Sequence, residues 1–200
     1  LVVLLYIIGG ARGVLTFISL SFNIAVLSIS ILLMSWGWDP VAVTFVSCLI
    51  ICYITLIYQN GVNTKTIASF FSVIIVLLVL VAISYFAGYL FHLGGINEIM
   101  KYEDEVTRYS PDIDINMAHI AVSMIITGLI GAAMDASIAV SSAVYEVFKN
   151  NRFLSFSELV RSGINIGGDI LGATVNTLYF ACLGESLTLF ILFKNYHYSF

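Results

Sequence analysis

The sequence predicts an all-α fold, a polytopic transmembrane helical bundle with about five to six membrane segments. Its 200 residues are 60% hydrophobic and only 10% charged, and the mean hydropathy is +1.02. Soluble domains carry about 25% charged residues, so this composition indicates an integral membrane protein. The apolar runs lack strict alternation, which favours helices over the strands of a closed barrel.

Six apolar runs define the candidate helices, and each of the last five has the roughly 18 residues needed to cross about 30 Å of hydrocarbon. They cover approximately Leu1–Ile8, Gly13–Met34, Val41–Tyr58, Thr66–Phe91, Asn116–Phe148 and Gly163–Phe193. The first run is too short to span alone. We expect it to be the end of a truncated or short helix, because a signal peptide would begin with a basic region.

Turn and interface residues separate these runs. Gly9 and Gly10 end the first run, and the segment Gln59–Gly61 closes the third. Trp36 and Trp38 follow the second run, as is typical of aromatic residues at a membrane–water interface. The sequence therefore predicts one transmembrane domain over residues 1–200.

The basic residues predict the orientation of the helices, because cytoplasmic loops are enriched in Lys and Arg. This rule places Arg12, Lys65 and the linker 149–162 in the cytoplasm. The Trp-containing turn, the acidic loop 93–115 and Lys194 are then extracytoplasmic.

The acidic loop 93–115 predicts a solvated surface segment rather than a metal site. Its apolar residues have amphipathic spacing, and they are Ile96, Ile99, Met100, Val106 and Tyr109. Asp112 opens a sequence similar to a calcium-binding loop, but Met117 and Ser123 occupy positions that require Gly and Glu. We expect Asp114 or Asn116 to cap the following helix instead.

The cytoplasmic linker 149–162 contains a helix start signal. Ser155 and Glu158 form a capping box, and Leu154 with Leu159 matches the hydrophobic staple around it. These residues predict a short helix from near Phe156. Glycines follow at the membrane entry and permit a bend or close packing, and they are Gly163, Gly167 and Gly168.

Each of the last two runs carries one acid that looks buried on a background of small residues, and these acids are Asp135 and Asp169. Placing a carboxylate within a membrane-length helix costs free energy, so we treat each of these acids as a candidate functional residue. We expect the two helices to pack together, because small residues permit close approach in lipid. The residues expected at this contact are Gly128, Gly131, Ala132, Gly168 and Gly172.

The functional interpretation is a path for protons or ions in which Asp135 is the titrating group. The other expected members of this path are Asp169, Ser142, Asn176 and Thr177. In the structural alternative, Asp169 caps its own helix and Asp135 bonds a polar residue across the hairpin. Both interpretations stay open at this point.

The remaining polar residues of the runs have simpler roles. We expect His92, His119 and Glu185 to be interfacial, and Asn23 to make an interhelical hydrogen bond. Cys48 and Cys52 share a helical face, which indicates packing rather than a disulfide or a metal site. The net charge of -4 argues against nucleic acid as a partner, and no motif predicts a cofactor.

An enzymatic role is not predicted. Intramembrane aspartyl proteases also use two aspartates on neighbouring helices, with Tyr-Asp on one helix and Gly-x-Gly-Asp on the other. Here Met134 precedes Asp135, and Ile166 stands where that second motif requires Gly. Motifs of serine hydrolases, zinc proteases and phosphate-binding loops do not occur in the sequence.

The hairpin resembles the YibE/F-like family of bacterial membrane proteins. The resemblance rests on the motifs GLIGAAMD at 128–135, SSAVYE at 141–146, SFSEL at 155–159 and IGGDILGAT at 166–174. It implies location in the bacterial cytoplasmic membrane and further helices after Phe200. Gly168 departs from the Arg or Lys expected at that position, so the basic partner beside Asp169 is missing.

The hairpin is also similar, at the level of the fold, to the core of resistance–nodulation–division and SecDF-type transporters. Those proteins couple proton flow to conformational change through a membrane acid. We therefore expect a permease or transporter component with proton coupling through Asp135, whose substrate the sequence does not identify. The alternative is a non-transporting scaffold or accessory subunit, and a protease is the third and least favoured. The expected partners are the bilayer and a second membrane protein or another copy of the chain.

Overall fold

A computed structural model of the chain describes residues 2–90 and 117–195, and all the secondary structure in these residues is helical. The helices are α1 (Val2–Ser35), α2 (Pro40–Cys52), α3 (Thr64–Leu90), α4 (Met117–Asn150) and α5 (Phe156–Asn195). A π-helical segment, Tyr53–Tyr58, continues α2 without a break. The predicted all-α membrane fold is confirmed, because five of these helices are long and apolar enough to cross a membrane.

The first two predicted runs form one helix with a kink. The backbone leaves the helical region at Gly10, where φ is 53° and ψ is -132°. Non-glycine residues rarely adopt this conformation, which explains why the break falls at a glycine. The region from Gly9 to Ser35 beyond the kink is long enough to span the membrane by itself.

The turn between α1 and α2 combines three local signals. Gly37 has a φ of 87°, which suits a tight reversal of the chain. Asp39 is the N-cap of α2 and accepts a hydrogen bond from the backbone N–H of Ala42 at 2.9 Å, while Pro40 occupies the first helical position. Trp36 and Trp38 are exposed beside this turn, as the interfacial prediction requires.

The chain consists of two compact units, Leu1–Ile138 and Ala139–Phe200. The core of the first unit lies around α2 and its π-helical continuation. Cys52, Val73, Leu77 and Ile126 are completely buried there, so α2, α3 and α4 all contribute side chains to one apolar cluster. Cys48 and Cys52 are free thiols within this cluster, where they act as packing residues.

The second unit contains the end of α4, a short turn and α5. The predicted capping box is present: the Glu158 carboxylate accepts from the backbone N–H of Ser155 at 2.9 Å and from its hydroxyl at 2.8 Å. The helix starts at Phe156 as predicted, but it runs without interruption to Asn195. The glycines after the linker therefore do not end a separate short helix.

Two of those glycines permit close packing instead of a bend. A Cβ atom at Gly163 would lie 3.2 Å from Cγ2 of Val144, and one at Gly167 would lie 3.8 Å from Cγ2 of Val140. Gly168, in contrast, has nothing within 4 Å of this position. Gly163 and Gly167 thus bring α5 close to the last part of α4.

The predicted acidic loop 93–115 lies outside the described residues. The same is true of its amphipathic stripe, of His92 and of the proposed caps Asp114 and Asn116. These expectations stay predictions.

We expect Gly163→Leu to destabilise the protein more than the matched change Gly168→Leu. The new side chain at position 163 meets Val144, whereas the one at position 168 enters open space. Overpacking of this kind costs about 1–3 kcal/mol. Thermal unfolding in detergent micelles measures the difference, and equal melting temperatures for the two variants would contradict the described packing.

Candidate functional site

Three hydrogen bonds between side chains join α1 to α2 and its π-helical continuation. Gln59 Nε2 donates to Thr16 Oγ1 at 3.1 Å, and Asn23 Nδ2 donates to Thr55 Oγ1 at 3.0 Å. The third pair consists of the hydroxyls of Ser30 and Ser47, whose oxygens are 2.6 Å apart. We call these three pairs the polar ladder. The predicted interhelical hydrogen bond of Asn23 is confirmed as its middle pair.

The spacing of the ladder explains its regularity. Thr16, Asn23 and Ser30 are seven residues apart, which is about two helical turns and returns each side chain to nearly the same face of α1. Each interhelical hydrogen bond of this kind contributes on the order of 0.6–2 kcal/mol in a membrane. The ladder therefore fixes the register of the antiparallel pair.

A cavity of about 500 Å³ lies beside the last pair of the ladder. It is lined by residues of α1, α2 and α4, all within the first unit. The lining residues used below are Ser30, Ser47, Cys48, Ser123, Thr127 and Gly128. A second cavity of about 260 Å³, between α1 and α2, also has Ser30 and Ser47 in its wall.

The larger cavity is mainly apolar in spite of its hydroxyl-bearing residues. Ser123 donates to the carbonyl of His119 at 2.8 Å, and Thr127 donates to the carbonyl of Ser123 at 2.8 Å. Ser47 likewise donates to Val43, at 2.7 Å. Because these hydroxyls are satisfied by the backbone of their own helices, the wall presents mostly carbon to the cavity.

A contact between Asp39 and His119 lies at one end of this cavity. Oδ2 of Asp39 is 2.6 Å from Nδ1 of His119, one residue before the first α4 residue that lines the cavity. Tyr85 of α3 packs edge-to-face on the imidazole, with 5.8 Å between ring centroids. The contact is an ion pair when the imidazole is protonated, and it links α2, α3 and α4 at their common end.

The pKa of Asp39 lies below its ordinary value of 3.8. The hydrogen bond from the backbone N–H of Ala42 is the largest cause, and the hydrogen bond and charge of His119 add to it, while partial burial acts in the opposite direction. Both side chains are partly exposed, at 45% for Asp39 and 32% for His119, so solvent screens the pair. The pair therefore positions the helix ends but contributes little to the free energy of unfolding.

The carboxylate of Asp135 is exposed in the first unit and has no hydrogen-bond partner among the residues described. In the second unit, Asp169 and Asn176 are exposed on α5, and Ser142 is partly buried on α4. Thr177 donates to the carbonyl of Ala173 at 3.0 Å. Within the second unit, no described hydrogen bond joins Ser142, Asp169, Asn176 or Thr177 to another of these four residues, so the polar path stays a prediction.

The residues expected at the helix contact have different environments. Gly128 lines the larger cavity, and Gly131 and Ala132 are partly buried on the same helix. Gly168 and Gly172 are exposed, with open space at their Cβ positions. The closest glycine contact observed in the second unit is that of Gly163, which the sequence suggested only as a possible point of close packing.

Neither the cavity nor the contact between Asp39 and His119 was predicted from the sequence. Asp39 is separated from His119 by 80 residues, and no local pattern joins them. The seven-residue spacing of polar residues on α1 was a detectable signal for the ladder. Residues 2–90 and 117–195 contain no group of three or more His, Cys, Asp or Glu side chains that could hold a metal ion.

Comparison with protein families gives a match over the whole chain. The profile of the YibE/F-like protein family covers residues 1–200. The chain belongs to the YibE/F-like family. Comparison with curated proteins yields no match, and comparison with solved structures yields none. The match confirms the resemblance carried by the hairpin motifs.

We expect Asp39→Asn to weaken the dependence of stability on pH in the acidic range. The pKa of Asp39 is lowered in the folded state, so its contribution is complete above its ordinary value of 3.8 and is lost as the pH falls through the folded value. Asn is an equally good N-cap, so it removes the charge while keeping the cap. Melting temperatures of both proteins between about pH 3 and pH 6 measure the effect.

Asp39→Ala is the control for the cap, and it should cost about 1 kcal/mol more than Asp39→Asn at neutral pH. Parallel pH profiles for the wild type and Asp39→Asn would contradict the assignment of the acidic dependence to this carboxylate.

Proposed function

We propose that this chain is a permease or transporter component that acts on an apolar or amphipathic solute. The observation that carries the proposal is the partly open cavity of about 500 Å³ lined by three membrane-length helices. Its volume lies within the roughly 300–1,000 Å³ typical of small-molecule sites. The proposal assigns the chain no enzymatic activity and no cofactor.

The chemistry of the cavity supports this solute class. The hydroxyls of Ser47, Ser123 and Thr127 are occupied by backbone carbonyls, so the cavity offers few polar groups to a hydrophilic solute. A hydrocarbon chain loses no hydrogen bonds on entering such a space. The contact between Asp39 and His119 at the end of the cavity provides charge for the polar head of an amphipathic molecule.

Proton coupling through Asp135 is a separate part of the proposal. An intramembrane acid that can exchange a proton suits coupling to a proton gradient. Asp135 lies within the membrane-length span His119–Asn150, as this role requires. We propose the bacterial cytoplasmic membrane as the location of the chain, with this carboxylate in the cytoplasmic half of the bilayer, as the distribution of basic residues predicts.

A scaffold role is the second candidate, and the exposure of α5 favours it. None of the most apolar part of the span Phe156–Leu187 is buried, although the helix carries Asp169 and Asn176. Polar groups in hydrocarbon normally find a protein partner, so α5 suits association with a second membrane protein or another copy of the chain. A stoichiometric partner that co-purifies while Asp135 and Asp169 are both dispensable would favour this role over transport.

We expect Gly128→Leu to block occupation of the cavity. A Cβ atom at Gly128 meets nothing within 4 Å, so leucine fills the space without a backbone clash. The probe is a fatty acid with a photoactivatable diazirine, incorporated into proteoliposomes and cross-linked by light. Mass spectrometry of α4 peptides should show labelling that falls about tenfold in the variant, as loss of an apolar contact worth ~1.4 kcal/mol predicts.

Gly131→Leu is the matched control, because position 131 also has open space but does not line the cavity. Its labelling should equal that of the wild type. Unchanged labelling in Gly128→Leu would refute the cavity as the solute site.

We expect Asp135→Asn to abolish transport driven by a pH gradient while leaving labelling of the cavity unchanged. The amide has nearly the same shape as the carboxyl group but does not exchange a proton near neutral pH. Uptake of a fluorescent amphipathic dye into proteoliposomes with an imposed pH gradient measures the effect. Undiminished uptake would refute proton coupling through Asp135, and Asp169→Asn tests the second acid in the same assay.

A further inference from the structure

Two buried oxygen atoms of α1 have no hydrogen-bond partner within the described part of the chain. They are the hydroxyl oxygen of Ser19 and the amide oxygen of Asn23. Ser19 is only 1% exposed, and it lies inside the membrane span Gly9–Ser35. A buried polar atom without a partner is destabilising, so such atoms in folded proteins indicate a bound molecule that satisfies them.

Ser19 differs from the neighbouring hydroxyl residues of α1. Thr16, Ser21 and Ser28 each donate to the carbonyl four residues earlier, at 2.9–3.0 Å. This bond satisfies the hydroxyl within its own membrane helix, so the side chain needs no partner on another helix. The Ser19 hydroxyl does not make it, so its polar atom is available to a ligand.

Ser19 lies on α1 between two members of the polar ladder, and this position explains why it has no partner. Ser19 lies between the pair Thr16–Gln59 and the pair Asn23–Thr55, one turn from Asn23 on the same face. The opposing segment, Tyr53–Tyr58, is π-helical, and the backbone N–H of Gln59 donates to the carbonyl of Ile54, five residues earlier. The wider turn changes the directions of the side chains that face α1, and none of them provides a hydrogen-bond partner for Ser19.

We propose that one buried water molecule lies between α1 and the π-helical segment and bridges Ser19 Oγ to Asn23 Oδ1. The amide oxygen of Asn23 only accepts hydrogen bonds, whereas the hydroxyl of Ser19 both donates and accepts. A water molecule can donate a hydrogen bond to the amide oxygen of Asn23, and it can either donate to or accept from the hydroxyl of Ser19. Buried waters typically make two to four such bonds. A metal cation is disfavoured, because no described carboxylate bonds to the ladder and an uncompensated charge in an apolar span is costly.

The bound water completes the polar ladder across the π-helical segment. The water gives α1 and the π-helix a contact whose hydrogen bonds can exchange while the direct pairs Thr16–Gln59 and Asn23–Thr55 stay intact. π-Helical turns inside membrane helices are frequently found at functional positions. The site therefore allows small changes in the packing of α1 against the π-helical segment. The other end of the same helix pair forms the cavity wall.

The sign of the effect of Ser19→Ala tests the proposal. Without a water, the variant removes an unsatisfied buried hydroxyl, and the melting temperature rises. With the water, it removes one of the partners of a bound molecule, and the melting temperature falls by about 2–4 °C. The control is Ser21→Ala, whose exposed hydroxyl bonds only to its own helix and whose loss should leave the melting temperature unchanged.

Two further measurements identify the occupant in the intact protein in bilayers. Water-edited solid-state NMR should show transfer of magnetisation from water to the side chains of Ser19 and Asn23, with the transfer to Asn23 reduced in Ser19→Ala. Replacement of sodium chloride by choline chloride at equal ionic strength should not change the melting temperature. Absence of the transfer, a rise in melting temperature for Ser19→Ala, or a dependence on sodium would each overturn the bound water.

Discussion

The polar ladder between α1 and the α2–π-helix pair is the interaction on which the first unit depends. Apolar contacts between helices give little specificity of register in lipid, because lipid chains are as apolar as the side chains they replace. Three hydrogen-bonded pairs at seven-residue spacing supply that specificity. Once the register is fixed, Ser30 and Ser47 stand at the wall of the cavity, and Asp39 is brought to the end of α4.

The two buried cysteines show how the same hairpin contributes to the core. Cys48 and Cys52 are buried in the apolar cluster, and Cys48 also lines the cavity beside Ser47. Sulfur fills irregular space without demanding a hydrogen bond. The α2 segment and its π-helical continuation thus make polar pairs with α1 and also contribute to the apolar cluster that α3 and α4 complete.

Much of the fold could be predicted from the sequence, because membrane helices are limited by length and composition. The start of α5 was predicted to the residue, since Ser155 and Glu158 are a local signal. The break at Gly10 was also visible as a glycine pair. The candidate site was not predicted, because the cavity and the contact between Asp39 and His119 join residues far apart in sequence. The π-helix Tyr53–Tyr58 has no known composition signal, so its effect on the ladder was hidden as well.

The length of α5 has a consequence for the acid it carries. Its 40 residues correspond to about 60 Å at 1.5 Å per residue, roughly twice the thickness of the hydrocarbon layer. Only about half of the helix can therefore lie in hydrocarbon at one time, and Asp169 is about 20 Å from the start of the helix. Tilt and vertical displacement of a rigid helix, rather than any change in its fold, determine whether this carboxylate lies among lipid chains or among headgroups.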